Sequence, residues 1–147
     1  MTRRSAVASM AAAANALGGA PPPPAAHKRH GVEEGSAYCQ AHEVIGARRL
    51  LFVSGQVPAD KDGNVPRDFK AQARLAWSNV GEQLASAGMT LDDLVKVTIF
   101  LSDRRYRADN AAVRKEVLGD RAPALTIIIT GIYDEAWLLE IEAFAAS

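Results

Sequence analysis

The sequence predicts one α+β domain in which strands and helices follow the order ββαβαββ and two helices cover one face of a mixed sheet. Three observations point there. Short runs rich in β-branched and large apolar residues, bounded by turn formers, flank and punctuate the region after Gly31. Two longer stretches repeat their apolar residues at intervals of three and four. The strand–helix–strand passages favour parallel pairing through right-handed crossovers, whereas hairpins at the two ends favour antiparallel edges.

Taken in order, Tyr38 to Ile45 and Arg49 to Ser54 are two short strands around Gly46-Ala47, read as a hairpin. Ser54-Gly55-Gln56-Val57-Pro58 breaks the pattern, since Gly55 permits close backbone approach and Pro58 cannot donate to a ladder. Asp68 can cap a helix to about Ala87, whose apolar stripe is Phe69, Ala73, Trp77, Val80, Leu84 and Ala87; Gly88 stands where a left-handed terminator is wanted. Leu94 to Leu101 is a strand with Val95, Val97, Ile99 and Leu101 on one face and Lys96, Thr98 and Phe100 on the other. Ser102 or Asp103 caps a second helix to about Leu118, with Tyr106, Asn110, Val113 and Val117 on one side and Gly119 at its end.

The closing strands, Pro123 to Thr130 and Trp137 to Ala145, read as a strand–turn–strand unit. On the second, Leu139, Ile141 and Ala143 point one way and Glu140 and Glu142 the other, beside Leu138 and Phe144. Two carboxylates on an otherwise apolar face call for solvent, a subunit interface or a site. The open face of the sheet, carrying Thr98, Phe100, Thr126 and Ile128, is too apolar for free solvent, so an oligomer is expected.

Residues 1–30 form a separate object and residues 31–147 the domain. The first segment is alanine-rich, holds Pro21-Pro22-Pro23-Pro24 and has no acidic residue. Arg3-Arg4 followed by a mild Ala/Gly stretch has the layout of a twin-arginine export leader, pointing to a periplasmic or exported protein; a disordered arm on a cytoplasmic protein is the other reading. The 147 residues are 48% hydrophobic and 23% charged, an ordinary globular composition. Lys+Arg and Asp+Glu both number 17, which removes the bulk electrostatic drive toward nucleic acid. No apolar run reaches the roughly twenty residues that span a bilayer. Cys39 is the one cysteine, and His27, His30 and His42 show no metal-ligand spacing.

Several segments together resemble the Rid (YjgF-like) family of reactive-intermediate deaminases. They are Tyr38-x-Gln40, Phe52 to Pro58, Gln72-x-Arg74, Asn79-Val80, Leu91 to Leu101 and Glu140-Ile141-Glu142-Ala143, in order from about Gly35 to Ala145. The resemblance implies a chorismate-mutase-like fold and a homotrimer with small-molecule clefts between subunits. It also implies hydrolysis of enamines and imines to ketones plus ammonia, without metal or organic cofactor. By the same resemblance Tyr38, Ser54, Gly55, Asn110, Leu125 and Ile127 occupy substrate-binding positions, Ile127 through its backbone carbonyl, and Glu140 positions the attacking water. Such chemistry needs a water aimed at the C=N carbon and an acid/base group within hydrogen-bond reach.

One position departs from the family pattern. Active members carry Pro-Ala-Arg-Ser/Thr, and this chain has Pro123-Ala124-Leu125-Thr126, so leucine stands where a guanidinium clamps the substrate carboxylate. Loss of such a pair costs about 2–5 kcal/mol of carboxylate binding. Arg121 lies four residues earlier, about 13 Å along an extended strand, and cannot simply substitute. Arg104, Arg105 and Arg107 could enter from another element or form a solvated helix start. The expectation is therefore a hydrolase acting on a substrate other than a carboxylate-clamped imino acid, or a non-catalytic trimer binding a small apolar or aromatic metabolite in the cleft. A ribonuclease, sometimes attributed to the family, is disfavoured by the neutral charge and the lack of a basic aromatic stripe. Read without the family, Glu140 is a solvated or interface carboxylate, Tyr38 a half-buried strand tyrosine, Glu142 a structural charge, Cys39 a small buried hydrophobe and Trp77 core.

Overall fold

The computed structural model describes residues 20–147. In chain order its elements are β1 (Ala26–His30), β2 (Ala41–Ile45), β3 (Leu50–Gln56), α1 (Phe69–Ser86), β4 (Leu94–Leu101), α2 (Arg107–Leu118), β5 (Ala124–Ile129) and β6 (Leu139–Ala146). Short 3₁₀ turns, Leu91–Asp93 and Arg104–Tyr106, introduce β4 and α2. The main sheet has the order β3-β6-β4-β5, with β4 and β5 parallel and the other pairs antiparallel; β1 and β2 form a separate ribbon.

Both helices form where the apolar periodicity placed them. The Asp68 carboxylate accepts the Ala71 N–H at 3.0 Å, and Phe69, Ala73, Trp77, Val80 and Leu84 bury the stripe. Gly88 adopts φ +69° after α1. Asp103 caps the 3₁₀ turn through the Arg105 N–H at 2.8 Å, so the second helix starts tight and becomes α-helical only at Arg107. The Tyr106 ring stacks on Phe69 with centroids 4.4 Å apart, tying the start of α2 to that of α1. Val97, Ile99 and Leu101 of β4 meet Leu139, Ile141 and Ala143 of β6 beneath the helices, and these six side chains are the centre of the core.

Strand pairing differs from the sequence reading in three ways. First, β2 and β3 are not a hairpin. β2 pairs with β1, and β3 pairs with β6 through Leu51 opposite Ala145 and Val53 opposite Ala143. Val53, Ala143 and Ala145 are buried, whereas β2 has no fully buried residue, so apolar burial favours seating β3 on β6. Second, β5 and β6 are not paired, because β4 lies between them. β4 carries the most continuous apolar alternation and takes the doubly paired central place. Third, the segment Ala26–His30, placed ahead of the domain by its composition, is strand β1. Its partner β2 supplies a complete antiparallel register, Ala26 opposite Ile45 through His30 opposite Ala41. The export-leader reading, carried by Arg3-Arg4, lies outside the described residues.

The face of the sheet turned away from the helices is as apolar as expected. Phe52 and Phe144 meet edge to face with centroids 5.3 Å apart and are 70% and 39% exposed; Leu50 is 67% exposed. Glu140 and Glu142 lie on this face, opposite Phe100 and Thr98 of β4.

Candidate functional site

The first cluster forms at a break in β3. Pairing with β6 is regular to Val53 opposite Ala143 and resumes only at Gln56 opposite Ile141, so Ser54 and Gly55 bulge out of the ladder. Glu140 fills the space over that bulge: a Cβ on Gly55 would stand 1.8 Å from Glu140 Oε1 and 2.7 Å from its Cδ. A side chain at position 55 would displace the carboxylate from that place. The Glu140 side chain is half-buried and accepts no hydrogen bond from any described residue, so both oxygens are available. Ser54 is exposed beside it, its carbonyl accepting the Gln56 Nε2–H at 3.0 Å.

Two amides on α1, Gln72 buried and Asn79 half-buried, fix this cluster. Asn79 donates to the carbonyls of Val57 at 2.9 Å and Ala59 at 3.0 Å, holding the segment that leaves Gly55. Gln72 donates to Pro66 O at 2.7 Å and Ala136 O at 3.0 Å and accepts the Leu138 N–H at 2.8 Å, holding the segment that enters Glu140. Both residues belong to the motifs quoted from the sequence, which gave them no role; their signal is a polar side chain on the buried side of an amphipathic helix.

The second cluster lies on the helix side. The register sets Leu125 opposite Val97, whose neighbour on β6 is Ala143, so Leu125 shares the helix-facing side and packs against the core. Glu140 is on the other face and two strands away. Leu125 therefore does not face Glu140, as a direct β5–β6 hairpin would require; the intervening β4 separates them. Ile127 and Ile129, two and four residues on, line a groove of about 520 Å³ with Leu101, Arg104, Arg107 and Asn110. Past the isolated Cys39–Ala124 bridge, β5 is the edge of the sheet among the described residues, so its outward N–H and C=O groups near Ile127 have no ladder partner there.

Asn110 is 1% exposed, yet neither Oδ1 nor Nδ2 has a hydrogen-bond partner. One turn on, Arg114 is 8% exposed and its Nε and one terminal nitrogen are likewise unpartnered. Burial lowers the Arg114 pKa from its ordinary value, with the nearby Tyr38 phenol opposing the change. Tyr38 itself is half-buried, and the following Cys39 N–H donates to Pro123 O at 3.1 Å, which pins Tyr38 next to the start of β5. Burial raises the Cys39 pKa and suits a packing role for this thiol. Sequence reasoning missed Arg114, although its spacing of four from Asn110 places both on one helix face.

One chain thus brings Ser54, Gly55 and Glu140 together on the open face and Asn110 and Ile127 together in the groove, with Tyr38 and Leu125 along the same helix side. Residues 33–147 match the family described as Endoribonuclease L-PSP. The chain belongs to the Rid (YjgF-like) family. It is 42% identical to "Protein mmf2, mitochondrial" of Schizosaccharomyces pombe over 76% of this chain and 89% of that protein. It is 31% identical to "Putative reactive intermediate deaminase TdcF" of Escherichia coli over 65% of this chain and 78% of that protein. Among solved structures, TdcF with bound serine aligns at TM-score 0.64 and 28% identity, covering 81% of this chain and 93% of that chain. The Rid protein YyfB of Yersinia pestis aligns at TM-score 0.71 and 23% identity, covering 82% of this chain and 98% of that chain. The sheet and its two helices are the chorismate-mutase-like fold of Rid proteins.

Proposed function

We propose that this Rid protein hydrolyses enamine or imine intermediates at clefts between the subunits of a homotrimer, on a substrate whose carboxylate is not clamped from position 125. The observation that carries this reading is Glu140, an unpaired carboxylate held over Gly55 in a chain related to a protein named as a reactive intermediate deaminase. Water adds to the carbon of C=N while Glu140 takes one of its protons and passes it to the nitrogen, giving a neutral carbinolamine. Glu140 then takes the carbinolamine hydroxyl proton and delivers it to the nitrogen as the C–N bond breaks, so imine plus water gives ketone plus ammonia. No external oxidant or metal is needed for that balance. In a trimer assembled through the open faces, the Glu140 cluster of one subunit and the groove of its neighbour can form a single cleft.

A second reading, a non-catalytic trimer binding a small apolar or aromatic metabolite, is favoured by the apolar wall of Leu125, Ile127 and Ile129. Ammonia release from freshly generated imines, carboxylated and neutral, separates the two. Turnover that Glu140→Gln reduces by two orders of magnitude or more supports the hydrolase. No turnover on either class, or full turnover by Glu140→Gln, rejects it. The family description as an endoribonuclease finds no support in the charge balance of 17 against 17.

A further inference from the structure

We infer that the groove between α2 and β5 recognises a neutral carboxamide on the substrate through Asn110, in place of a carboxylate that leucine at position 125 cannot clamp. The inference deepens the hydrolase reading by naming what the substrate carries beside the reacting C=N. It rests on that reading for the reaction alone, since the amide is bound and not cleaved.

Asn110 is the one residue lining this groove of about 520 Å³ that is both polar and buried; Arg104 and Arg107 are exposed at the rim. It is 1% exposed, and neither Oδ1 nor Nδ2 of its amide has a hydrogen-bond partner among the described residues. A buried amide left in that state is strongly disfavoured, so the group that completes it enters from the groove. Oδ1 accepts and Nδ2 donates, and the complement must therefore offer a donor and an acceptor side by side. A carboxylate and a ketone have acceptors only and would leave Oδ1 unpaired; an ammonium has donors only. A carboxamide offers both in one plane, by the same two-point pairing with which asparagine reads an adenine edge.

The other wall repeats the pattern. Ile127 and Ile129 belong to the β5 edge, whose outward N–H and C=O groups have no ladder partner past the Cys39–Ala124 bridge among the described residues. Such an edge is itself a row of alternating donors and acceptors. Arg104 and Arg107 do not reverse the choice, because hydration and salt screen an exposed charge, whereas the Asn110 amide is closed off from bulk water. Leu101, Ile127 and Ile129 make the remaining lining apolar, which suits an aliphatic or aromatic body behind the amide.

The test is calorimetric titration of the full-length chain with three stable probes of similar shape: benzamide, benzoate and acetophenone. Benzamide is expected to bind about tenfold more tightly than either of the others. Asn110→Leu should erase that preference and keep acetophenone binding. It should also raise the melting temperature, because it removes an unsatisfied buried amide with little change in volume. Replacing both rim arginines, Arg104→Gln with Arg107→Gln, should leave the preference in place. Equal or tighter binding of benzoate or acetophenone, no binding of any probe, or an undiminished preference in Asn110→Leu overturns the proposal. Loss of the preference in the arginine pair does so too. A lowered melting temperature, failure to fold or a changed solution mass in Asn110→Leu would make Asn110 a structural or subunit contact and equally overturn it. Because the probes are stable, amide preference without imine turnover sinks only the hydrolase reading, and turnover without that preference sinks only this one.

Discussion

Glu140 reaches across to Gly55 so closely that the carboxylate occupies the volume a side chain would need: Oε1 lies 1.8 Å from an ideal Cβ position. The glycine is thus required by a neighbour, not by its own backbone, since it is absent from the positive-φ glycines.

Gly55→Ala is expected to push the flexible Glu140 side chain off the bulge, lowering imine hydrolysis at least a hundredfold while changing stability by less than about 1 kcal/mol. Gly81, on α1, has nothing within 4 Å of an added Cβ, so Gly81→Ala should stabilise by about 0.5–1 kcal/mol and leave turnover unchanged. Urea melts and ammonia release on the pair of variants check both halves.

Gln72→Leu would strand the carbonyls of Pro66 and Ala136 and the Leu138 N–H. A loss of about 3 kcal/mol is expected from those unsatisfied groups. Amide hydrogen exchange should then accelerate first near Leu138, where β6 begins.

The β1–β2 ribbon should loosen in acid. His42 and His27 share one hydrogen bond at 3.0 Å, and the His42 pKa lies below its usual 6.5, chiefly through burial and then through His27 and Arg29. A histidine with a depressed folded pKa binds more protons when unfolded, so stability is full above about 6.5 and falls as pH drops toward the folded value. Protection of the Ala26–His30 amides, corrected for intrinsic exchange, should decrease between pH 7.5 and 5.5. The decrease should shrink in His42→Gln; an unchanged pH response in that variant would rule out this histidine as its source.

Phe52→Glu on the open face should yield a monomer by light scattering, because it sets a charge in the centre of the apolar surface proposed to join subunits. The natural chain should run at three times the monomer mass, and a monomeric mass for it would reject the trimer.

Periodicity carried the helices and the central strand, because α1 and β4 each bury one regular stripe and local pattern matches tertiary environment. Pairing partners were not legible. Period-two alternation states which face a strand buries but not which strand lies beside it, so β5 looked like the partner of β6 while β4 had stronger claims on both. β1 was hidden for a different reason: Ala26–His30 is polar and follows a proline run, and its strand conformation comes from β2 alone. In the site, Gly55 and Glu140 were recognisable by motif. Arg114 was not, since an arginine in a mixed helix looks solvated until its surroundings are known.

Gln72 and Asn79 sit seven residues apart, two turns of the same rigid rod, and each grips a different loop. The spacing between Gly55 and Glu140 is therefore gauged from α1 and not from the lengths of the loops on either side. Residues 60–64 and 131–134 lie outside that gauge. Changes in the length or sequence of those surface turns are therefore expected to leave the distance between Gly55 and Glu140 unchanged.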